Sequence, residues 1–461
     1  MSIELEEVSH AVRETQYAVR GPIVARAAEL ERQGKRIIYC NIGNPQSLGQ
    51  RPLTFVRQVL ALSEYPELLE GPAAATFPED ARAAARLVLR ESAHGLGAYT
   101  ESKGYRFVRQ AVADFVHERD GIPADADHVF LTDGASKGVQ SVLRLLVDGP
   151  KDGVMIPIPQ YPLYSASITL LGGAQVPYTL DEAKEWSLSR DSLETAYAEA
   201  VKSGIRVRAI VVINPGNPTG AVLDEKNVEM VLDFAKARGL SVLADEVYQE
   251  NVYRSGARFV SFAGVLVRRG ITDVSLFSFH SVSKGFLGEC GHRGGYFECR
   301  NVPGDVMAQI EKLQSVALCA NSAGQIVIWI MVRPPRAGEP SFALYDRERR
   351  DILESLRRRA ATLEKGLNAV RGMHSNSIAG AMYAFPRVDL PPGVTDSAYC
   401  LALLEETGIC VVPGSGFGQL PGTFHLRTTI LPPPDEIETV VRRIAEFHAA
   451  YLKAKSSPAR V

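Results

Sequence analysis

The stretch from residue 209 to residue 245 decides the fold, and it reads AIVVINPGNPTGAVLDEKNVEMVLDFAKARGLSVLAD. Ala209–Ile213 is a short apolar run rich in β-branched residues, which predicts a buried strand. Glu225–Arg238 carries apolar residues at helical spacing, and Ser241–Ala244 predicts the next strand. A strand, an amphipathic helix and a second strand in this order predict a parallel βαβ unit.

The same alternation of strands and helices extends on both sides of this stretch. A further helix is predicted at Lys137–Val147, and further strands are predicted at Val129–Leu131, Val154–Ile158 and Ser275–Phe279. Buried strands that alternate with amphipathic helices predict an α/β fold with a large, mainly parallel sheet and helices on both faces. Ligands bind such sheets beyond the carboxyl ends of the strands, so polar residues at those ends are candidates for a site.

Three of the predicted strands end in polar residues of different chemistry. Asn217 follows the strand at 209–213, Asp245 and Tyr248 follow the strand at 241–244, and Lys284 follows the strand at 275–279. Alone, the Asn-Pro-Thr-Gly segment is a competent turn, Asp245 is a competent helix cap and Lys284 is an ordinary surface amine. Their occurrence at consecutive strand ends favours a shared crevice.

This combination of an amide, a carboxylate, a phenol and an amine is typical of a pyridoxal 5'-phosphate site. A lysine forms a Schiff base with an aldehyde cofactor. A carboxylate such as Asp245 keeps a pyridine nitrogen protonated, because an ion pair favours the charged form. The Tyr248 phenol and the Asn217 amide suit the oxygen on the ring.

A phosphate cup is predicted beside these residues. Asp133-Gly-Ala135-Ser136 lies between a strand and the helix at 137–147, where free backbone N–H groups bind anions. Ser281 and Arg293 flank Lys284 in the sequence and supply a hydroxyl and a guanidinium. Tyr161 follows another strand and suits either stacking on the cofactor ring or a place in the core.

Two other patterns in the sequence indicate different chemistry and are set aside. Ser281-Val-Ser-Lys284 matches the S-x-x-K pattern of serine acylases, but the S-D-N and K-T-G elements of those enzymes do not occur. Gly414-Ser-Gly-Phe-Gly418 is similar to a dinucleotide loop, but it lacks the strand-turn-helix context.

The composition excludes several classes of protein. The chain has 461 residues, 51 Lys and Arg against 53 Asp and Glu, and a formal net charge of −2. This balance argues against nucleic-acid and membrane-surface binding, and no apolar run approaches the roughly 20 residues of a membrane span. Six cysteines without a C-x-x-C pair favour free thiols over a disulfide framework or a metal site. With an acidic N-terminus unlike a targeting peptide, we expect a cytoplasmic enzyme without a metal ion.

Several blocks of the sequence together resemble the alanine aminotransferases among the fold-type I pyridoxal-phosphate enzymes. The resemblance covers nearly the whole chain, and its blocks are Asn41–Gln46, Pro157–Ser165, Asn214–Gly220, Ala244–Gln249, Ser278–Gly285, Gly288–Tyr296 and Glu405–Gly418. The asparagine and lysine blocks are shared by many aminotransferases. The Gly-Glu-Cys-Gly block at 288 and the Thr-Gly-Ile-Cys-Val-Val-Pro-Gly-Ser-Gly-Phe-Gly block at 407 are more specific to this branch.

The resemblance implies roles for individual residues. It implies that Lys284 carries the cofactor and moves the substrate's α-proton, with Asp245 and Tyr248 as its catalytic neighbours. The cofactor-binding set that it implies is Tyr99, Ala135, Ser136, Tyr161, Asn217, Asp245, Tyr248, Ser281, Lys284 and Arg293. It further implies that Gly43, Asn217 and Arg427 bind substrate, with Arg427 holding the α-carboxylate. Tyr99 is implied to reach the phosphate of a neighbouring subunit, which predicts a homodimer.

The function expected from this resemblance is ping-pong transamination between L-alanine and 2-oxoglutarate, giving pyruvate and L-glutamate. A glutamate:glyoxylate aminotransferase shares every block quoted, although the C-terminal Pro-Ala-Arg-Val differs from the Ser-Lys-Leu signal of peroxisomal proteins. A catalytically inactive relative that serves as an interaction platform is a further alternative, and the intact residue set argues against it. No single arginine in the sequence stands out for the distal carboxylate of glutamate.

A two-domain organisation is expected. The N-terminal segment of the small domain is predicted at residues 1–60, a large cofactor-binding domain at 61–330 and the small C-terminal domain at 331–461. The small domain is predicted to contain a helix at Pro22–Gln33, a strand at Ile37–Tyr39, a long charged helix from Asp346 to about Asn368, strands around Met382–Phe385 and His425–Thr429, and a last helix at Glu436–Tyr451.

Overall fold

The computed structural model describes residues 3–93 and 95–456; the C-terminal tetrapeptide at 458–461 and the first two residues of the acidic start lie outside this range. The helices are α1 (His10–Glu14), α2 (Pro22–Arg32), α3 (Thr54–Glu64), α4 (Gly71–Ala74), α5 (Glu79–Ser92), α6 (Arg106–Asp120), α7 (Ala135–Leu146), α8 (Leu163–Leu170), α9 (Arg190–Lys202), α10 (Glu225–Arg238), α11 (Phe262–Arg268), α12 (Gly304–Val316), α13 (Ser322–Val332), α14 (Phe342–Asn368), α15 (Asp396–Thr407) and α16 (Pro434–Ser456). The strands are β1 (Ile38–Tyr39), β2 (Val129–Asp133), β3 (Asp152–Ile158), β4 (Ala174–Thr179), β5 (Arg206–Ile213), β6 (Ser241–Asp245), β7 (Leu276–Ser281), β8 (Gly294–Arg300), β9 (Met373–His374), β10 (Tyr383–Ala384), β11 (Arg387–Val388), β12 (Ile409–Cys410), β13 (Val412–Pro413) and β14 (Leu426–Thr429).

A seven-stranded sheet forms the centre of the molecule, with the order β2-β8-β7-β6-β5-β3-β4. The pairs formed by β3 to β7 are parallel, and β8 runs antiparallel to β2 and β7. The three strands with polar ends, β5, β6 and β7, are neighbours in this sheet. The prediction of an α/β fold with a mainly parallel sheet is confirmed.

Helix α10 shows why the decisive stretch folds as it does. The Asp224 side chain accepts a hydrogen bond from the backbone N–H of Asn227, and Gly239 ends the helix in the left-handed region with φ of 64°. Val228 and Leu232 of this helix are fully buried against the sheet. Burial of such a side chain contributes about 1.5–3 kcal/mol, so this apolar stripe fixes the helix on one face of the sheet.

The two faces of the sheet carry different helices. One face packs against α9, α10 and α11, and the other packs against α7, α8 and α12. The carboxyl ends of β5, β6 and β7 therefore open between two helical layers, where the fold predicts a ligand site.

A second group of elements surrounds short strands. Helices α14, α15 and α16 pack around the sheet β10-β14-β13, and β1 pairs in parallel with β12, which joins an N-terminal strand to the C-terminal part of the chain. The division at residues 60 and 330 stays a prediction. Helix α3 packs against α5 and α13, so its apolar side chains share the core of the larger group.

Sequence patterns missed two strands of the central sheet. Strand β8 contains two glycines and a charged pair, and strand β4 contains Pro177 and lies at the sheet edge. Neither strand has the apolar run that marks β5. Glycine, proline and charged residues are uncommon in strands, so these two segments were not recognised as strands from the sequence. Across the described residues, no helix is both long and apolar enough to cross a membrane.

Candidate active site

A cavity of about 520 Å³ lies at the carboxyl ends of β5, β6 and β7. Most of the residues that the sequence predicted for a site line this cavity: Gly43, Ala135, Ser136, Tyr161, Asn217, Asp245, Tyr248, Ser281, Lys284, Arg293 and Arg427. They come from widely separated parts of the chain, since Gly43 precedes the sheet and Arg427 belongs to β14. The cavity thus lies between the central sheet and the smaller group of elements.

Lys284 enters the cavity from the loop after β7. Its Nζ donates a hydrogen bond of 2.6 Å to the carbonyl oxygen of Gly43. A Cβ added at Gly43 would overlap the Tyr383 hydroxyl and crowd Lys284 Nζ, so only glycine lets the backbone approach the amine this closely. The amine and the segment carrying Gly43 are therefore in direct contact.

Asp245 lies at the end of β6 and is 5% exposed. Its Oδ2 accepts a hydrogen bond of 2.8 Å from the Tyr164 hydroxyl, and Lys284 is the nearby cation. Burial raises the pKa of Asp245 to about 6, although the hydrogen bond from Tyr164 and the charge of Lys284 act in the opposite direction. A cationic group entering the cavity beside this carboxyl would favour its ionised form.

Tyr248 and Tyr383 form a pair of buried phenols at the centre of the cavity. The Tyr248 hydroxyl donates a hydrogen bond of 3.3 Å to the Tyr383 oxygen. Burial raises the pKa of Tyr248 well above its usual value. Asn217, from the loop after β5, accepts a hydrogen bond of 3.1 Å from Arg427 through its side-chain oxygen. Amide and phenol groups therefore face the same space as Lys284.

The predicted phosphate cup is assembled at the first turn of α7. Arg293 donates hydrogen bonds of 3.2 Å to the Ser136 hydroxyl and 3.1 Å to the carbonyl oxygen of Asp133. A Cβ at Gly134 would collide with the Arg293 guanidinium, so glycine permits this close approach. Ser281 lines the same cavity. Arg293 has no carboxylate partner among the described residues, which leaves its charge available to an anion.

Arg427 is 1% exposed and lies between two aromatic rings. Its guanidinium carbon is 4.2 Å from the centroid of the Tyr383 ring and 4.6 Å from that of Phe417. It donates hydrogen bonds to Asn217 and to the carbonyl oxygen of Asn41 but forms no ion pair within the described part of the chain. Buried charges are almost always paired, so this guanidinium is a candidate partner for the carboxylate of a ligand.

The N-terminal segment forms the mouth of the cavity. The Tyr17 and Tyr161 hydroxyls are 2.7 Å apart, and Val19 packs against a cluster that contains Phe417. These contacts hold Arg20 at the cavity lining, where it is exposed. Tyr161 therefore lines the cavity and also contacts Tyr17 of the N-terminal segment through its hydroxyl.

Sequence reasoning missed several residues of this site, among them three tyrosines and an arginine. Tyr164, Tyr383, Tyr17 and Arg20 lie in or beside the cavity. Tyr164 had a signal, because it lies three residues after Tyr161 on the first turn of α8. The other three had none, since they come from segments distant in the sequence from the strand ends.

Tyr99 is the predicted site residue that does not line this cavity. Its side chain is 80% exposed in a loop before α6. Within a single chain, the other predicted site residues meet at the cavity, and Tyr99 lies outside it.

The residues that line the cavity fit pyridoxal 5'-phosphate. The cup with Ser136, Ser281 and Arg293 has a cation and donors without a carboxylate partner, as a phosphate requires. Asp245 has no ion pair with an arginine or lysine within the described residues and suits a protonated ring nitrogen. Lys284 supplies the primary amine that an aldehyde requires.

Comparisons with known proteins agree with this geometry. Residues 59–444 match the family model described as aminotransferase class I and II. The chain is 48% identical to glutamate–glyoxylate aminotransferase 1 of Arabidopsis thaliana over 98% of this chain and 97% of that protein. It is 48% identical to a probable mitochondrial alanine aminotransferase of Dictyostelium discoideum, covering 98% of this chain and 90% of that protein. Identity to human alanine aminotransferase 1 is 47%, with 97% and 95% covered.

Solved structures share the fold. An aminotransferase from Escherichia coli superposes with a TM-score of 0.79 at 24% identity, covering 98% of this chain and all of that chain (100%). An alanine aminotransferase from Pyrococcus furiosus superposes with a TM-score of 0.80 at 25% identity, covering 96% and 100%. Enzymes of this family and fold use pyridoxal 5'-phosphate, which agrees with the fit of the cavity. The chain therefore belongs to the class I and II aminotransferases and is a pyridoxal-phosphate-dependent enzyme.

Proposed function

We propose that this aminotransferase moves an amino group between L-alanine and 2-oxoglutarate, giving pyruvate and L-glutamate by a ping-pong mechanism. The observation that carries the proposal is the buried Arg427 guanidinium, which has no carboxylate partner within the described residues. All four substrates carry an α-carboxylate next to the reacting carbon. One bidentate guanidinium therefore serves both half-reactions.

The cofactor supplies an aldehyde and an electron-accepting ring, which no side chain provides. Ala135, Ser136, Ser281 and Arg293 would hold its phosphate, and Tyr161 would pack against its ring. Asp245 would keep the ring nitrogen protonated, while Asn217 and Tyr248 would bind the ring oxygen. The cavity that these residues line, and the raised pKa of Asp245 at about 6, support this arrangement, since a cation beside Asp245 stabilises both charges.

Lys284 is the catalytic base. Its Nζ would hold the cofactor aldehyde and, as a free amine, would take the proton from the substrate α-carbon. The 2.6 Å hydrogen bond to the Gly43 carbonyl holds the amine against the segment that carries Gly43. A positioned acid–base group of this kind contributes about 10²–10⁴-fold to the rate.

Arg20 supports the choice of a dicarboxylate as the second substrate. The cations that line the cavity are Arg20, Lys284, Arg293 and Arg427. Three of them have the roles given above, and Arg20 forms no ion pair within the described residues. An exposed guanidinium at the mouth binds the distal carboxylate of 2-oxoglutarate or glutamate and remains hydrated when alanine is bound.

A glutamate:glyoxylate aminotransferase is the second candidate function. The Arabidopsis relative at 48% identity carries that name. Glyoxylate, like pyruvate, has a single carboxylate for Arg427. Steady-state rates with pyruvate and with glyoxylate as acceptors of the amino group from glutamate decide between the two, and we expect pyruvate to be faster.

We propose that the protein acts as a homodimer in which Tyr99 contacts the phosphate of the neighbouring subunit. The 80% exposure of Tyr99 in the single chain supports this role. Light scattering gives the mass of the particle, and Tyr99→Phe should weaken cofactor binding without changing that mass. A monomeric active enzyme would contradict the proposal. A cytoplasmic location stays a prediction, since some relatives carry mitochondrial names.

Peptide mapping after borohydride treatment tests the central assignment. Borohydride fixes the cofactor on the lysine that binds it, and we expect the label on Lys284 alone. A portion of the same enzyme that is not treated with borohydride should release pyruvate from alanine and 2-oxoglutarate. A label on another lysine refutes the site, whereas a correct label without activity on alanine refutes only the substrate assignment.

A further inference from the structure

Tyr383 is a buried phenol that lines the cavity near the proposed catalytic amine. It belongs to β10, where it pairs with Thr429 of β14, and its side chain is 3% exposed. A Cβ at Gly43 would lie 1.9 Å from the Tyr383 hydroxyl oxygen and 2.9 Å from Lys284 Nζ. The phenol oxygen and the amine therefore lie on the same side of Gly43 and close to each other.

The charges around Tyr383 favour its ionised form. Burial raises the pKa of this phenol, but the Lys284 ammonium and the Arg427 guanidinium outweigh burial and hold the pKa below its usual value. The Tyr248 hydroxyl donates a hydrogen bond of 3.3 Å to the Tyr383 oxygen and acts in the same direction, whereas Cys290 acts in the opposite one. A tyrosine in such surroundings exchanges protons more readily than an ordinary tyrosine.

Transamination requires the amine of Lys284 to change protonation state repeatedly. It must be neutral to remove a proton and cationic to return one. A second group that takes up and returns a proton at Nζ keeps the amine in the required form. Tyr383 is a titratable side chain beside it whose position the rest of the proposed function does not use.

We propose that Tyr383 is the proton-exchange partner of Lys284 in transamination, and this rests on the proposed role of Lys284. In the exchange, an N–H bond of the Lys284 ammonium breaks and an O–H bond forms on the Tyr383 phenolate. The reverse transfer restores the ammonium. The proton is conserved between the two side chains, and no other reactant takes part.

A different role for Tyr383 is a flat surface on which the Arg427 guanidinium packs, with a separation of 4.2 Å. Tyr383→Phe separates the two roles, because phenylalanine keeps the ring and loses only the hydroxyl. If the ring alone matters, the variant retains wild-type kinetics. If proton exchange matters, kcat should fall by ~10-fold to 100-fold in both half-reactions, while KM for alanine changes by less than about 2-fold.

The pH dependence supplies a second readout on the same variant. In the unmodified enzyme, we expect a limb of the kcat profile that reports the ionisation of Tyr383. In Tyr383→Phe that limb should disappear or move. Tyr178→Phe is the matched control, because it also removes a buried hydroxyl, which donates a 2.7 Å hydrogen bond to Val211 in the core. The control should keep both kcat and the profile.

Titration of the cofactor-free protein tests the coupling without any activity. Tyrosinate absorbance should show one tyrosine that ionises below the usual range, and Tyr383→Phe should lose it. Lys284→Met should shift the same ionisation to higher pH, since it removes the cation that lowers it. The titration of Lys284→Met remains informative even if Tyr383→Phe is less stable than the unmodified protein, because it does not require that variant.

The outcomes separate the two proposals. Wild-type kcat in Tyr383→Phe, or a tyrosine titration that Lys284→Met leaves unchanged, overturns the role of Tyr383. A borohydride label on a lysine other than Lys284 overturns the proposed function and this inference together. A correct label, a lower kcat, a changed pH profile and a coupled titration support both.

Discussion

Asp245 and Glu246 are neighbours in the chain, yet their side chains lie on opposite faces of the central sheet. Asp245 lines the cavity and accepts a hydrogen bond from Tyr164. Glu246 accepts a hydrogen bond of 2.8 Å from the backbone of Phe262 and lies near Arg119, which pairs with Asp120. Both carboxyls are buried, and burial raises the pKa of Asp245 to about 6 and that of Glu246 to about 8.

The two faces differ in whether their buried polar groups already have partners within the chain or are available to a ligand. On the Glu246 face, Arg119 binds Asp120 and Gln249, and Ser261 also donates to Asp120, so the polar groups largely satisfy one another. On the Asp245 face, Arg293 and Arg427 have no carboxylate partners within the described residues. Burial and shifted pKa values alone therefore do not mark an active site, whereas unpaired charges facing a cavity do.

Lys284→Ala should produce the largest effect on the cavity face. Multiple turnover should fall by about 10⁴-fold, the upper end of what one acid–base group contributes, because that group is removed. The cofactor should still bind through the phosphate cup. Single-turnover absorbance and cofactor equilibrium dialysis measure the two properties, with the exposed Lys202→Ala as control. Substantial multiple turnover in Lys284→Ala would assign the catalytic amine elsewhere.

Asp245→Asn should lower kcat by ~10²–10³-fold, the scale of losing one preorganised electrostatic partner in a water-excluded site. The fold should persist, because asparagine still accepts the hydrogen bond from Tyr164. Stopped-flow measurement of each half-reaction checks the rate, and thermal unfolding checks the fold. Near-normal turnover would show that Asp245 has only a structural role, as we expect for Glu246.

Arg427→Lys should lower both half-reactions by ~30-fold, since losing the planar fork while keeping the charge costs about 2 kcal/mol. The resting absorbance of the bound cofactor should not change. Arg359→Lys is the control, because Arg359 is also buried but donates to the carbonyl oxygens of Leu431 and Pro432. That control should lose stability and retain the balance between half-reactions. An effect of Arg427→Lys on one half-reaction only is incompatible with an α-carboxylate clamp.

Glu246→Gln should produce the smallest effect on activity, with kcat within about 2-fold of the unmodified enzyme. The raised pKa means that the folded protein favours the protonated carboxyl. The stability it contributes is complete below the unfolded pKa and is lost as the pH rises through about 8. Glutamine stays neutral, so the variant should gain thermal stability relative to the unmodified protein between about pH 6 and about pH 9.

The measurement for Glu246 is the Tm of the cofactor-loaded enzyme across this range. Glu199→Gln, an exposed site, is the control for the loss of one carboxylate. Equal pH dependence in Glu246→Gln and in the unmodified enzyme would show that Glu246 is ionised in the folded protein. The buried carboxyls on the two faces would then differ less in their pKa values than their surroundings indicate.

Local patterns were sufficient for the part of the site that lies at strand ends. The apolar runs of β5, β6 and β7 predicted three parallel strands, and Asn217, Asp245 and Lys284 follow them directly. Parallel strands bring their carboxyl ends to one edge, so the convergence follows from the strand assignment. Strand β8 was missed because its glycines and charged residues hide it, although it separates β2 from β7.

The sequence by itself determined the α/β fold, the cofactor chemistry and eleven of the residues that line the cavity, because strand periodicity and short motifs are local properties of the chain. Only the tertiary structure decided which buried charges are left unpaired, that Tyr383 lies beside Lys284, and that Arg20 reaches the cavity mouth. These relations join segments hundreds of residues apart. Pairing, burial and electrostatic coupling depend on distances that the order of residues does not contain.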